Sequence, residues 1–332
     1  MIGVPNSSAL LAGWISSASR PLTQCFRPPG SGHTRFLRNG TKQIRRLLEK
    51  RMPGSKLIQR IQEISTRGGF SAIAVAFHDY QTAVRFSYHG DRMFHAASTI
   101  KVAFLLAVFK AVDEGRLRLD SRLHVRNRFQ SVVEGTVFRV DASRDADAEI
   151  HRRRGRAVPI LDLARAMIVR SSNLATNLIF DFLGLEFIRR VISEAGLSGI
   201  KVERCVEDEA GFAQGLNNEV TADGLLDFFR MLADRRYISE RGCEQMTEIL
   251  LAQEFNRMIP AKLPAGARVA HKTGEISTVC HDAGLVFLPE RLPYALSILT
   301  EGPPGQEQRQ KAVASISSLV AHFLTGSVKR DE

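Results

Sequence analysis

The chain has 332 residues, 44% hydrophobic and 24% charged, the proportions of a globular protein with enough apolar side chains for a sizeable core. Its formal charge of +11 would suit a polyanionic partner, but residues 1–67 hold twelve Lys and Arg against Glu49 and Glu63, so +10 of the excess sits there and about +1 remains for everything after. That distribution argues against nucleic-acid binding by the main domain, and no run of eighteen apolar residues exists to cross a membrane.

Residues 1 to about 40 are rich in Ser, Pro, Gly and Arg without periodicity and read as a disordered extension. Ala9 to Ile15 are mildly apolar and reach small residues at Ser16 to Ser19, faintly like a secretion signal. The first cation, Arg20, follows that stretch instead of preceding it, against the usual order. From Thr41 a basic helical pattern carries Ile44, Leu47 and Leu48, and after Pro53 a second, with Leu57, Ile58, Ile61 and Ile64, ends at Gly68-Gly69. We therefore divide the chain into a basic extension, 1–55, and one domain, 56–326.

Two strands are expected next, Phe70 to Phe77 and Thr82 to Tyr88, joined as an antiparallel hairpin by Asp79-Tyr80-Gln81. A helix from Thr99 to about Asp113 is apolar nearly all round, from Val102 to Val112, and should be buried. The polar region Asp120 to Val158 includes the run His151-Arg152-Arg153-Arg154-Gly155-Arg156, which reads most simply as a solvated loop, with an anion-binding role as the alternative. Helices follow over Ile160–Val169, Leu174–Leu183, Leu185–Glu194, Ala222–Ala233 and Arg241–Gln253. Strands return over Ala267–Lys272, Thr278–Leu288 and Tyr294–Thr300, before a last helix, Gln306–Phe323. This order predicts an α/β (α+β) domain: an antiparallel sheet completed from both ends of the domain, flanked by helices, with an all-helical lobe inserted over about 98–255.

Four cysteines, Cys25, Cys205, Cys243 and Cys280, show no C-x-x-C or metal-ligand spacing, and the nine histidines form no H-E-x-x-H. Neither a metal nor another cofactor is expected.

Three short motifs stand out. Ser98-Thr99-Ile100-Lys101 places a hydroxyl and an amine one helical turn apart, a nucleophile with a candidate base beside it. About one S-x-x-K is expected by chance in a chain this long, and a second does occur, Ser198 to Lys201, where glycines make it a turn into a strand. Ser171-Ser172-Asn173 fills the break between two helices, and Lys272-Thr273-Gly274 ends a strand. Singly, each could be a helix cap or a turn.

Together, with 73 and then 101 residues between them, they have the order and setting of the penicillin-interacting serine enzymes. From about Leu57 to Phe323 the chain resembles a class A β-lactamase or a related serine hydrolase, including the hairpin before Ser98 and the Asn-Leu-Ala-Thr-Asn-Leu helix from Asn173. The resemblance implies that Ser98 attacks a carbonyl, that Lys101 takes its proton, and that Ser171 passes a proton to the leaving nitrogen. It further implies that Asn173 binds a substrate amide, that Lys272, Thr273 and Gly274 hold the substrate carboxylate, and that the N–H groups of Ser98 and Glu275 form an oxyanion hole. A small β-lactam or acyl-amide substrate, a monomer, and a periplasmic or secreted setting are implied in the same way.

The chain departs from the family in three places. The Glu-x-x-Leu-Asn pattern that carries the deacylating glutamate is missing: Leu216-Asn217 has Ala213 where the acid would fall. Glu203, Glu207, Asp208 and Glu209 are nearby, and Glu207 is the preferred substitute. Ser172 stands where β-lactamases usually have aspartate, which weakens the expected turn. Glu275 puts a carboxylate on the strand face of Thr273, where it would oppose a substrate carboxylate, and the arginine that supports such a carboxylate has only Arg268 and Arg309 as candidates. Three functions are compatible: a β-lactam hydrolase, an acylating hydrolase or D-alanyl peptidase of another amide or ester, and a penicillin-binding sensory domain without turnover.

Overall fold

Residues 54–326 are described by a computed structural model; the pattern from Thr41 and the extension before it lie outside the described residues. Five strands, β1 (Ala72–Asp79), β2 (Arg85–Tyr88), β3 (Arg268–Glu275), β4 (Val279–Phe287) and β5 (Tyr294–Glu301), form one antiparallel sheet in the order β3-β4-β5-β1-β2. Among the described residues, eight helices of ten residues or more accompany it: α1 (Gly54–Gly68), α2 (Lys101–Asp113), α3 (Ile160–Val169), α4 (Asn173–Leu183), α5 (Leu185–Glu194), α6 (Ala222–Ala233), α7 (Glu240–Leu251) and α8 (Gln306–Thr325). The sheet is thus built from both ends of the domain, as expected.

Side-chain size along β1 explains how the layers stack. Alternate residues of a strand face opposite sides, and here Ile73, Val75 and Phe77 pack with Leu57 and Ile61 of α1 and Val313, Ile316 and Val320 of α8. Ala72, Ala74 and Ala76 belong to the other core, and their small side chains let α6 lie close on that face. Helix α2 runs through this second core with Val102 to Phe109 all buried, the outcome its all-round apolar pattern demands.

Residues 120–158 hold short paired strands and a helix, and only part of the run expected as a solvated loop, 151–156, is solvated. Arg122–His124 pairs with Ala157–Pro159 and Phe129–Gln130 with Val137–Phe138, and a short helix spans Ala148–Arg152. Arg152, Arg154 and Arg156 do face solvent, but His151 points inward and is buried with Asp145 and Asp147. Polar residues are buried here because each has a polar partner, a condition that composition alone does not reveal.

Candidate active site

Ser98 lies in a 3-10 turn, Ala97–Ile100, that leads directly into α2, so Lys101 follows one turn later at the helix start. Strand β3 lies against this turn. A β-carbon built on Gly274 would come within 2.9 Å of the Thr99 nitrogen and 3.0 Å of the Ser98 nitrogen, so only glycine allows the two backbones this close. The approach brings Lys272, Thr273 and Glu275 beside Ser98.

Lys101 is fully buried, and its amine donates to the Ser171 carbonyl at 2.7 Å, Ser171 Oγ at 3.1 Å and Asn173 Oδ1 at 2.7 Å. Lys272, also buried, donates to the same Ser171 Oγ at 3.1 Å and to the Thr273 carbonyl at 2.8 Å. Two amines therefore converge on one hydroxyl. Burial pushes Lys101 down to about 7, against the opposing pull of Asp145 and Glu207. Lys272 lies well below the ordinary lysine range because it is buried and because Lys101 is beside it. Ser171 reaches both amines from a left-handed backbone, φ +58°, a conformation that costs energy for a residue with a β-carbon and that the break between α3 and α4 imposes.

Ser98 and Asn173 share a cavity of about 590 Å³ with Glu207, Glu275, Arg144, Arg204 and Phe212. Asn173 is a bridge, its Oδ1 receiving Lys101 and its Nδ2 donating to Glu207 Oε1 at 2.6 Å. Glu207, at φ +60°, also accepts from the Asp141 N–H at 3.3 Å. The other nearby acids are engaged elsewhere. Glu203 pairs with Arg189, and Glu209 pairs with Arg144 in solvent. Asp208 is buried, receiving Ser131 Oγ, the Val132 N–H and the Gly211 N–H.

The weak turn expected at Ser172 is corrected by a residue that the sequence did not single out. Ser172 caps α4, accepting from the Ala175 N–H at 3.2 Å. The missing carboxylate comes from Asp145, which receives the N–H groups of Asn173 at 3.0 Å and Leu174 at 2.9 Å. Asp145 also accepts from the Asp147 N–H at 3.1 Å and meets His151 Nε2 at 2.9 Å. An aspartate 28 residues upstream thus holds the turn from outside it. Neither arginine considered for the substrate carboxylate reaches the cavity. Arg268 is exposed at the far end of β3, and Arg309 is buried with its guanidinium on the carbonyls of Ile276, Ser277, Gly302 and Pro304.

Behind β3 a second network fixes the strand. His271 Nδ1 meets Asp282 Oδ1 at 2.8 Å, its Nε2 meets Asn256 Oδ1 at 3.1 Å, and the Ile259 N–H donates to Asp282 Oδ2 at 2.9 Å. Among the described residues no group of three or more His, Cys, Asp and Glu is placed to hold a metal ion, and no helix is long and apolar enough to cross a membrane. Cys205, Cys243 and Cys280 are free thiols and buried.

Comparison with known proteins agrees with this geometry. The model of the β-lactamase enzyme family matches residues 56–324. The extended-spectrum β-lactamase PER-1 of Pseudomonas aeruginosa is 22% identical over 236 residues, 66% of this chain and 71% of its own length. Among solved structures, PBP-A superposes with a TM-score of 0.70 at 27% identity over 82% of this chain and 96% of its own. An ancestral class A β-lactamase gives 0.70 at 25% identity, over 80% and 99%. Fold, motifs and family match agree, and the chain belongs to the β-lactamase enzyme family, as a hydrolase of the serine β-lactamase kind.

Proposed function

We propose that the protein opens a β-lactam amide through an acyl-enzyme on Ser98 and releases the product by hydrolysis. The observation that carries this reading is the convergence of two buried lysines on Ser171, with Lys101 also bound to Asn173, which lines a cavity together with Ser98 and Glu207. An amine near pKa 7 is neutral often enough at physiological pH to accept the Ser98 proton as Oγ bonds to the carbonyl carbon. As the C–N bond breaks, the departing nitrogen takes a proton from Ser171, which Lys101 resupplies. The N–H groups of Ser98 and Glu275 receive the developing oxyanion. Glu207 then takes a proton from water, the hydroxide adds to the ester carbon, and Ser98 leaves with its proton restored. Asn173 holds Glu207 and Lys101 in register for these two half-reactions.

A second reading, an acylating hydrolase of another amide or ester with slow deacylation, is favoured by one detail. Asn217, of the Leu-Asn pair, accepts from Arg204 Nη2 at 3.5 Å and does not bond Glu207, so Glu207 lacks the asparagine that accompanies the acid in the Glu-x-x-Leu-Asn pattern. Incubation with a chromogenic cephalosporin, followed by absorbance and intact-mass spectrometry, separates the two. The first reading predicts steady turnover with a transient adduct on Ser98. A stoichiometric burst with a lasting adduct supports the second, and no adduct overturns both.

A further inference from the structure

The charge around the cavity bears on what the substrate carries along strand β3. Of the cations lining it, Arg144 is paired with Glu209 at 2.9 Å. Arg204 is buried, with Nε on the Leu216 carbonyl at 2.8 Å and Nη1 on the Cys205 carbonyl at 3.1 Å. On the β3 side the lining charge is Glu275. Its carboxylate is held by Gln310 Nε2 at 3.1 and 2.9 Å and by Gln306 Nε2 at 3.4 Å. These amides fix its position without neutralising it, since an amide donates hydrogen bonds but carries no charge. Arg309, one residue before Gln310, does not line the cavity and is bound to four backbone carbonyls. Of the basic residues on β3, Arg268 is exposed at its far end, His271 is bound to Asp282 and Asn256, and Lys272, although attracted by Glu275, is buried under conditions that favour its neutral form.

We infer that the site takes amide or ester substrates whose group beside β3 is uncharged or cationic, and discriminates against those with a carboxylate there, through Glu275. The inference rests on the acyl-transfer reading above and specifies its substrate class. A carboxylate placed beside Glu275 meets a like charge in a partly desolvated cleft, where such pairs repel far more than in water.

The test compares acylation of Ser98 by benzylpenicillin with acylation by its methyl ester, following adduct mass under second-order conditions. The ester is expected to acylate at least about tenfold faster, a lower bound for one pair of like charges near a protein surface. In Glu275→Gln the ratio should fall to within about twofold, mainly through a faster reaction of the acid. Faster acylation by the acid, with a ratio that Glu275→Gln leaves unmoved, overturns the inference while leaving the acyl-transfer reading intact. No adduct from either compound overturns the acyl-transfer reading, and the inference with it.

Discussion

Replacing Lys101 by methionine is expected to slow acylation by about two to four orders of magnitude, the range over which a positioned general base acts. Methionine keeps the length and apolar stem and removes the amine alone. The wild-type pH profile should identify the base independently. With burial holding Lys101 near 7, its neutral fraction grows about tenfold between pH 6 and 8 and then levels, so kcat/KM should rise by about that factor and reach a plateau. An amine with an ordinary pKa would give a rise of about a hundredfold over the same interval with no plateau. A profile still climbing steeply at pH 9 would remove Lys101 from the role of base.

Asp145→Ala is expected to have the largest effect on stability, about 3–5 kcal/mol, because it leaves several buried polar groups without their partner. The N–H groups of Asn173, Leu174 and Asp147 and the ring of buried His151 would all lose an acceptor. A loss of this size is a large share of a domain's total of about 5–15 kcal/mol, and urea unfolding would read it directly. Because Asp145 holds the start of α4, activity should fall as well, through a displaced Asn173. Adding Ser172→Asp to a milder Asp145→Asn should recover part of both losses by returning a carboxylate to the turn. Unchanged stability in Asp145→Ala would refute the part assigned to this residue.

What could be read from the sequence follows from how local each signal is. Helices α3, α5 and α6 begin and end where their apolar periodicity and flanking residues place them. Strand β3 was expected to stop at Lys272 but continues to Glu275, because Gly274, a turn signal in isolation, is required in the strand to pass close to Ser98 and Thr99. The lysine pair around Ser171 follows from motifs set 73 and 101 residues apart, legible through their order alone. Asp145 and His151 left no such trace: they lie in a polar segment without periodicity, and only the folded chain makes them neighbours of the Ser172 turn. The position of Glu207 depends on a left-handed residue that no periodicity announces.

If one site both forms and releases an acyl-enzyme, the Glu207→Gln protein should separate the two steps. Mixed with a β-lactam that the wild type turns over, and quenched at intervals for intact-mass spectrometry, this variant should gain one substrate mass on the Ser98 peptide at near the wild-type rate. It should then hold that mass while turnover falls by about a hundredfold or more. Undiminished turnover without a lasting adduct would contradict the account, because the water would then be activated by some other group.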